Sequence, residues 1–252
     1  SGHNGGTTRG WHYVQGGRYL KQSFDPGKFG PPQNPYSFGE LAMMKTETSV
    51  QRFSHFAAVA EGTALPGRYV GMFFSLDPLH NEVIASERRV SGATFETRDT
   101  GPVLTSSDVA FRPVYIANAP DGSLLLADFY EYYIAHGQHY QSQIDRTTGR
   151  IYRLRGKDRL LEQDLNLEMK NTGQLIALLS HPNKWHRQTA VRLLGERKDP
   201  AAAAQLKQLL TADPALGALN ALWALHQSAS LDDDTALGAL GHPYAPVRGW
   251  TV

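Results

Sequence analysis

Residues able to carry chemistry gather between positions 128 and 146: Asp128, Tyr130, Glu131, Tyr132, Tyr133, His136, Gln138, His139, Tyr140, Asp145 and Arg146. His136 and His139 stand three apart, and neutral imidazoles beside a carboxylate such as Asp128 could ligate a metal or move a proton. Tyr130, Tyr132 and Arg146 would supply aromatic and guanidinium contacts to a ligand. The same composition also fits a hydrogen-bonded loop, because buried polar groups need partners. Spacing fixes no third metal ligand. A second cluster is His12, Tyr13, Gln15, Arg18 and Tyr19 around Gly16-Gly17. It combines aromatic faces with amide and guanidinium groups, as sugar sites do, and the glycines would let a ligand approach the backbone. Tyr13, Gln15 and Arg18 are the binding candidates there. The other reading is an ordered Gly-rich loop.

Further polar residues read as structural. Asp77, His80 and Asn81 fill a turn. Asp108 and Arg112 precede a strand. Asp232-Asp233-Asp234 would cap a helix, where carboxylates meet the positive end of the dipole. His181 and His242 begin helices as caps or packing residues. The sequence holds no Gly-rich phosphate loop, Gly-x-Ser-x-Gly elbow or His-Glu-x-x-His.

The elements that would position these residues divide the chain of 252 residues in two. All ten Phe, and ten of the eleven Tyr, lie at or before Tyr152, whereas residues from 157 onward are rich in Leu and Ala. Aromatic and β-branched residues favour strands, Ala and Leu helices. The first part, 1–156, reads as antiparallel β. Its strands are expected at 53–60, 68–76, 82–90, 93–97, 112–118, 123–128 and 149–154. Pro120-Asp121-Gly122 makes a hairpin turn. Residues 1–50, rich in Gly and Pro, read as a long loop without periodicity. Residues 157–170 read as a linker.

From 171 to 252 the chain repeats. His181-Pro182, then Arg187 and Val191, recurs as His242-Pro243, then Arg248 and Val252, and Asp213-Pro214 marks a unit between them. Proline near a helix start every 30 residues or so suggests an α-solenoid of HEAT type. Helices are expected at 172–180, 185–196, 201–210, 216–226 and 233–240. The fold class is therefore α+β multi-domain: a partial antiparallel β-propeller followed by HEAT-type repeats. About seven strands cannot close a propeller, and Val252 falls inside a helix. The expectation is a segment of a longer protein.

Net charge is +1, so nothing draws the chain to nucleic acid. No apolar run is long enough to span a membrane. With no cysteine, disulfides, thiolate catalysis and covalent haem are excluded within this chain.

Three runs in succession make up one pattern: Phe111-Arg-Pro-Val-Tyr-Ile-Ala-Asn-Ala-Pro-Asp-Gly-Ser-Leu-Leu-Leu-Ala-Asp-Phe-Tyr130, then Ile134-Ala-His-Gly-Gln-His139, then Asp145-Arg-Thr-Thr-Gly-Arg-Ile-Tyr-Arg-Leu154. This resembles the end of the propeller in large bacterial membrane-bound dehydrogenases, also called PVC-type haem-binding proteins. That propeller is similar to the one in glucose/sorbosone dehydrogenases, which are quinoproteins. His12–Gly17 and Pro35–Gly39 fit an earlier stretch of the family, and His181–Trp185 and Ala221–His226 its HEAT region. The resemblance implies oxidation of a sugar or related alcohol, with a quinone of the PQQ kind and calcium as cofactors. His136 or His139 would then take the hydroxyl proton while hydride passes to the quinone. The alternative is a non-catalytic module that binds a protein, through its HEAT surface, or a glycan. A homo-oligomer and a periplasmic or extracellular location are also expected.

Overall fold

The computed structural model describes residues 12–14, 16–19, 39–41, 44–47, 56–92, 94–132, 145 and 147–252. Contacts divide the chain into two units: residues 1–60, 65–118 and 124–156 in one, and 61–64, 119–123 and 157–252 in the other.

The first unit holds ten strands among its described residues. A five-stranded sheet runs β3 (Lys45–Glu47), β7 (Thr94–Thr105), β6 (Glu82–Ser91), β5 (Phe73–Asp77), β4 (Ala57–Val59). A three-stranded antiparallel sheet runs β10 (Arg150–Leu154), β9 (Leu124–Asp128), β8 (Pro113–Asn118). A separate parallel pair joins β1 (Gly17–Tyr19) and β2 (Gly39–Leu41). Phe74, Leu76, Val83 and Ala85 of the larger sheet form one apolar cluster with Ile116, Leu124 and Leu126 of the smaller. Side chains alternate faces along a strand. The face of β9 that carries Leu124 and Leu126 into the core therefore also carries Asp128, which is buried.

Three expectations need correction. The loop expected at 1–50 contains three short strands, β1 to β3. The sheets are not purely antiparallel, because β3 pairs with β7 in parallel. The strand expected at 68–76 begins only at Phe73: Gly67–Tyr69 form a 3-10 turn and Gly71 takes φ +83°, so the extended backbone starts after it. The β7 strand runs past Thr97 to Thr105, with register shifts at Val83/Ile84 and Ala85/Ser86 that leave Val103 and Thr100 without a partner residue on β6.

The second unit is helical. Its helices are α1 (Thr172–Ala177), α2 (Lys184–Arg197), α3 (Ala202–Ala212), α4 (Leu216–Gln227), α5 (Asp233–Ala239) and α6 (Ala245–Thr251). None exceeds 14 residues, a length at which isolated helices are marginal in water. Packing therefore holds them. The α4 helix buries eight residues and packs on α2, α3 and α6. One apolar cluster runs from Leu175 and Leu179 through Leu194, Leu206 and Leu222 to Val247.

Three hairpins, α1–α2, α3–α4 and α5–α6, turn in the same way. At each turn the side chain before the proline accepts the backbone N–H two residues on. Asn183 donates to His181 Nδ1 at 3.1 Å, Ala215 to Asp213 Oδ1 at 2.8 Å and Tyr244 to His242 Nδ1 at 3.1 Å. The turns also touch one another: Ser180 Oγ donates to Asp213 Oδ2 at 3.2 Å, and His242 Nε2 to the Asp213 carbonyl at 3.2 Å. The segments 61–64 and 119–123 hold the first turn. Lys184 binds Glu61 through its backbone N–H and its ammonium, and Asn183 Nδ2 donates to the Pro120 carbonyl at 2.9 Å.

Candidate functional site

In the first unit, Asp128 anchors the chain where it leaves β9. Its Oδ1 accepts from the backbone N–H groups of Arg112, at 2.7 Å, and Tyr130, at 2.8 Å. Its Oδ2 is buried with no hydrogen-bond partner. Arg112 spreads its guanidinium over three carbonyls, those of Glu131, Pro78 and Tyr132, at 3.0, 2.8 and 3.0 Å. Buried Glu131 accepts from Asp145 N at 2.9 Å. Tyr130 adopts a left-handed φ of +52°, and the Arg150 guanidinium lies 3.4 Å from its ring centroid. Tyr132 is exposed.

Asp128, Tyr130 and Tyr132 thus stand on one hydrogen-bonded framework, and Arg112 works on carbonyls. Asp108 turns instead to Ala110 N. Asp77 closes its own turn through Leu79 N, His80 N and His80 Nδ1. His136, His139, Arg146 and Gln15 lie outside the described residues. Tyr13 is exposed, Arg18 falls in β1, and the His12 ring packs 5.1 Å from Phe95. Calcium takes six to eight oxygens. Asp128 offers one uncommitted oxygen, so the described residues do not by themselves make a calcium site.

In the second unit, Glu162, His181 and His186 converge. One carboxylate oxygen and one nitrogen of each imidazole all lie within 4.8 Å of one another. They come from three places: the segment before α1, the first hairpin turn, and the first turn of α2. Thr63 Oγ1 donates to Glu162 Oε1 at 2.6 Å, and Glu162 N donates to the Asp121 carbonyl. His186 is 4% exposed, and neither ring nitrogen has a hydrogen-bond partner. The His181 ring lies 4.4 Å from it and the Trp185 ring 5.2 Å, edge to face. Burial first, and then His181, push the His186 imidazole below its ordinary range, against the pull of Glu162 and Asp164. It is neutral at neutral pH, the form that ligates metals.

The sequence marks His181 as a cap or packing residue and passes over His186 and Glu162; in the structure His181 accepts the backbone N–H of Asn183, and Asn183 is the N-cap of α2. The signal for His186 was in the repeat. Five residues after the turn residues His181, Asp213 and His242 stand His186, Ala218 and Val247. Two of these are small or aliphatic core residues and one is an imidazole. Glu162 had no such signal, because it lies outside the repeat.

Residues 26–158 match the family described as Domain of unknown function (DUF7133), and residues 170–226 match HEAT repeats. No curated protein and no solved structure matches the chain. The helical unit is a HEAT array. No helix among the described residues is long and apolar enough to cross a membrane.

Proposed function

We propose, from the premise that the chain belongs to the family described as Domain of unknown function (DUF7133) and continues into HEAT repeats, that it serves as a non-catalytic scaffold that binds a protein through its helical unit. HEAT repeats suggest protein interaction, since stacked hairpins present extended surfaces to partners. One observation carries the reading. On the third hairpin Leu237 and Trp250 are about two-thirds exposed, and Leu240 is exposed as well. Ala236, Leu237 and Leu240 line a groove of α5 that Thr251 of α6 closes. Trp250 is steadied by Trp223, ring edge to ring face, at 5.2 Å. Large apolar side chains left exposed in this way are candidates for contact with a partner.

The test compares the immobilised wild-type chain with a Leu237→Asp, Trp250→Ser double variant. Both should show the same helical circular dichroism. Proteins captured by the wild type should be lost from the variant. If the same proteins stay bound to both, the face is only a stacking surface and the reading fails.

The enzymatic reading is the second. It rests on the resemblance of residues 111–154 to quinoprotein propellers, and on one observation: the buried, unpartnered Oδ2 of Asp128 lies where the chain enters the stretch that contains His136 and His139. Quinone-dependent dye reduction across a panel of sugars, abolished by His136→Ala, would favour it. No reduction with any sugar, with quinone and calcium supplied, would remove it.

A further inference from the structure

We infer that Glu162, His181 and His186 bind one divalent transition-metal ion of the zinc class, tying the segment around Glu162 to the first HEAT hairpin. The inference concerns the helical unit's own build and is independent of its partner.

Position in the repeat argues first. At the equivalent positions Ala218 and Val247 are fully buried apolar side chains. The repeat therefore packs without a polar group there. An imidazole at that depth needs a hydrogen-bond donor for one nitrogen and an acceptor for the other, and His186 has neither. A metal ion would use the nitrogen lone pair that burial otherwise leaves idle.

The donor set argues second. Two imidazoles and one carboxylate suit zinc and its neighbours rather than calcium or magnesium, which prefer oxygen. Three protein ligands leave a position for water, and Glu162 and His181 are only partly buried, so an ion has a way in. Thr63 holds the Glu162 carboxylate through its 2.6 Å hydrogen bond, the kind of outer contact that orients a ligand.

His181 pays a known amount of geometry. Its Nδ1 accepts from Asn183 N, which puts its proton on Nε2. Metal binding through either nitrogen must shift that proton or displace that bond. His242 makes the same turn bond, but its Nε2 donates to the Asp213 carbonyl and Val247 stands five residues on. The third repeat is therefore the internal control: same cap, no ligand set.

The experiment titrates the whole, chelator-treated chain with zinc chloride by calorimetry, and with cobalt(II) by visible absorption. The wild type should bind one ion that His186→Val does not, or binds at least about a hundredfold more weakly. The Val is the residue the third repeat already uses, so the hairpin should still fold. Glu162→Gln, which keeps the Thr63 bond, should weaken the same site about tenfold. His242→Ala should leave it unchanged. Zinc should raise the melting temperature of the wild type but not of His186→Val. Equal stoichiometry and affinity in the wild type and His186→Val would overturn the inference. Were His186→Val to unfold, unaltered zinc and cobalt binding by Glu162→Gln would overturn it alone.

Discussion

The backbone N–H of Asn183 donates to Nδ1 of His181 at 3.1 Å, and this one bond sets the geometry of the first hairpin. On the same turn the His181 and Pro182 carbonyls accept from Arg187 Nη1 at 2.6 and 2.8 Å. His242, Pro243 and Arg248 repeat the arrangement at 2.6 and 3.0 Å. Between them the Asp213 turn keeps the cap but has Leu219 where the arginine would stand. The arginine is thus a tie added to a turn that can form without it.

The two arginines should differ in worth. Arg187 is buried and Arg248 exposed. Removing a buried charged donor leaves two carbonyls without it, at a cost of about 2–3 kcal/mol. We expect Arg187→Ala to lose that much in urea unfolding and Arg248→Ala less than about 1 kcal/mol. Equal losses would mean that burial does not set the strength of the tie.

Gly122 makes a second sharp test. It has φ +84°, and a Cβ there would meet Thr63 Oγ1 at 2.4 Å and Thr63 N at 2.9 Å. The Gly122 carbonyl also accepts from Ala64 N. Thr63 in turn holds Glu162. Gly122→Ala should therefore destabilise by more than about 1 kcal/mol and should also weaken the zinc site, without touching a ligand. Unfolding at the wild-type denaturant midpoint would show that the turn yields more easily than its geometry implies.

The helices were legible because Ala/Leu content and the His-Pro and Asp-Pro turns are local signals. Each helix expected from 172 onward was found, with bounds shifted by up to three residues. Between β8 and β9, Pro120-Asp121-Gly122 gave the hairpin turn for the same reason. The parallel β3–β7 pair was not legible, since its partners lie some fifty residues apart and Lys45-Thr-Glu47 has no strand signature. Gly71 cut the strand expected from Arg68 because its positive φ depends on a neighbour, the Ala60 carbonyl that accepts its N–H at 2.7 Å. His186 could be read only by aligning the repeats, and Glu162 only by knowing where Thr63 and Asp121 stand.

Asp128 separates framework from chemistry. Asp128→Ala orphans the N–H groups of Arg112 and Tyr130 and should cost about 2–3 kcal/mol. Asp128→Asn keeps the accepting oxygen and replaces the unpartnered one, so it should fall within about 1 kcal/mol of the wild type. Thermal unfolding of the two variants checks this. An Asn variant as damaged as the Ala variant would mean that the charge of Oδ2 is held by something and that Asp128 does more than brace the loop.

The last expectation concerns pH. Asp232 caps α5, accepting from Thr235 N at 2.9 Å, and also receives the Lys207 ammonium. The Lys207 contact first, and then Thr235, hold its carboxyl far below the usual carboxylate range. The sign follows from which state protonates first. As pH falls, the unfolded chain takes up the proton at the ordinary carboxylate value while the folded chain still resists. The contribution of Asp232 is therefore complete above that range and is lost progressively below about pH 4. Asp232→Asn keeps an oxygen for Thr235 but cannot ionise. The wild type should melt above the Asn variant near neutral pH, and the gap should narrow steadily from about pH 4 toward about pH 2. Because the pair is exposed, salt should narrow the gap at neutral pH as well. A gap that stayed constant from neutral to acid would mean that the charge of Asp232, and with it the Lys207 contact, adds nothing to stability.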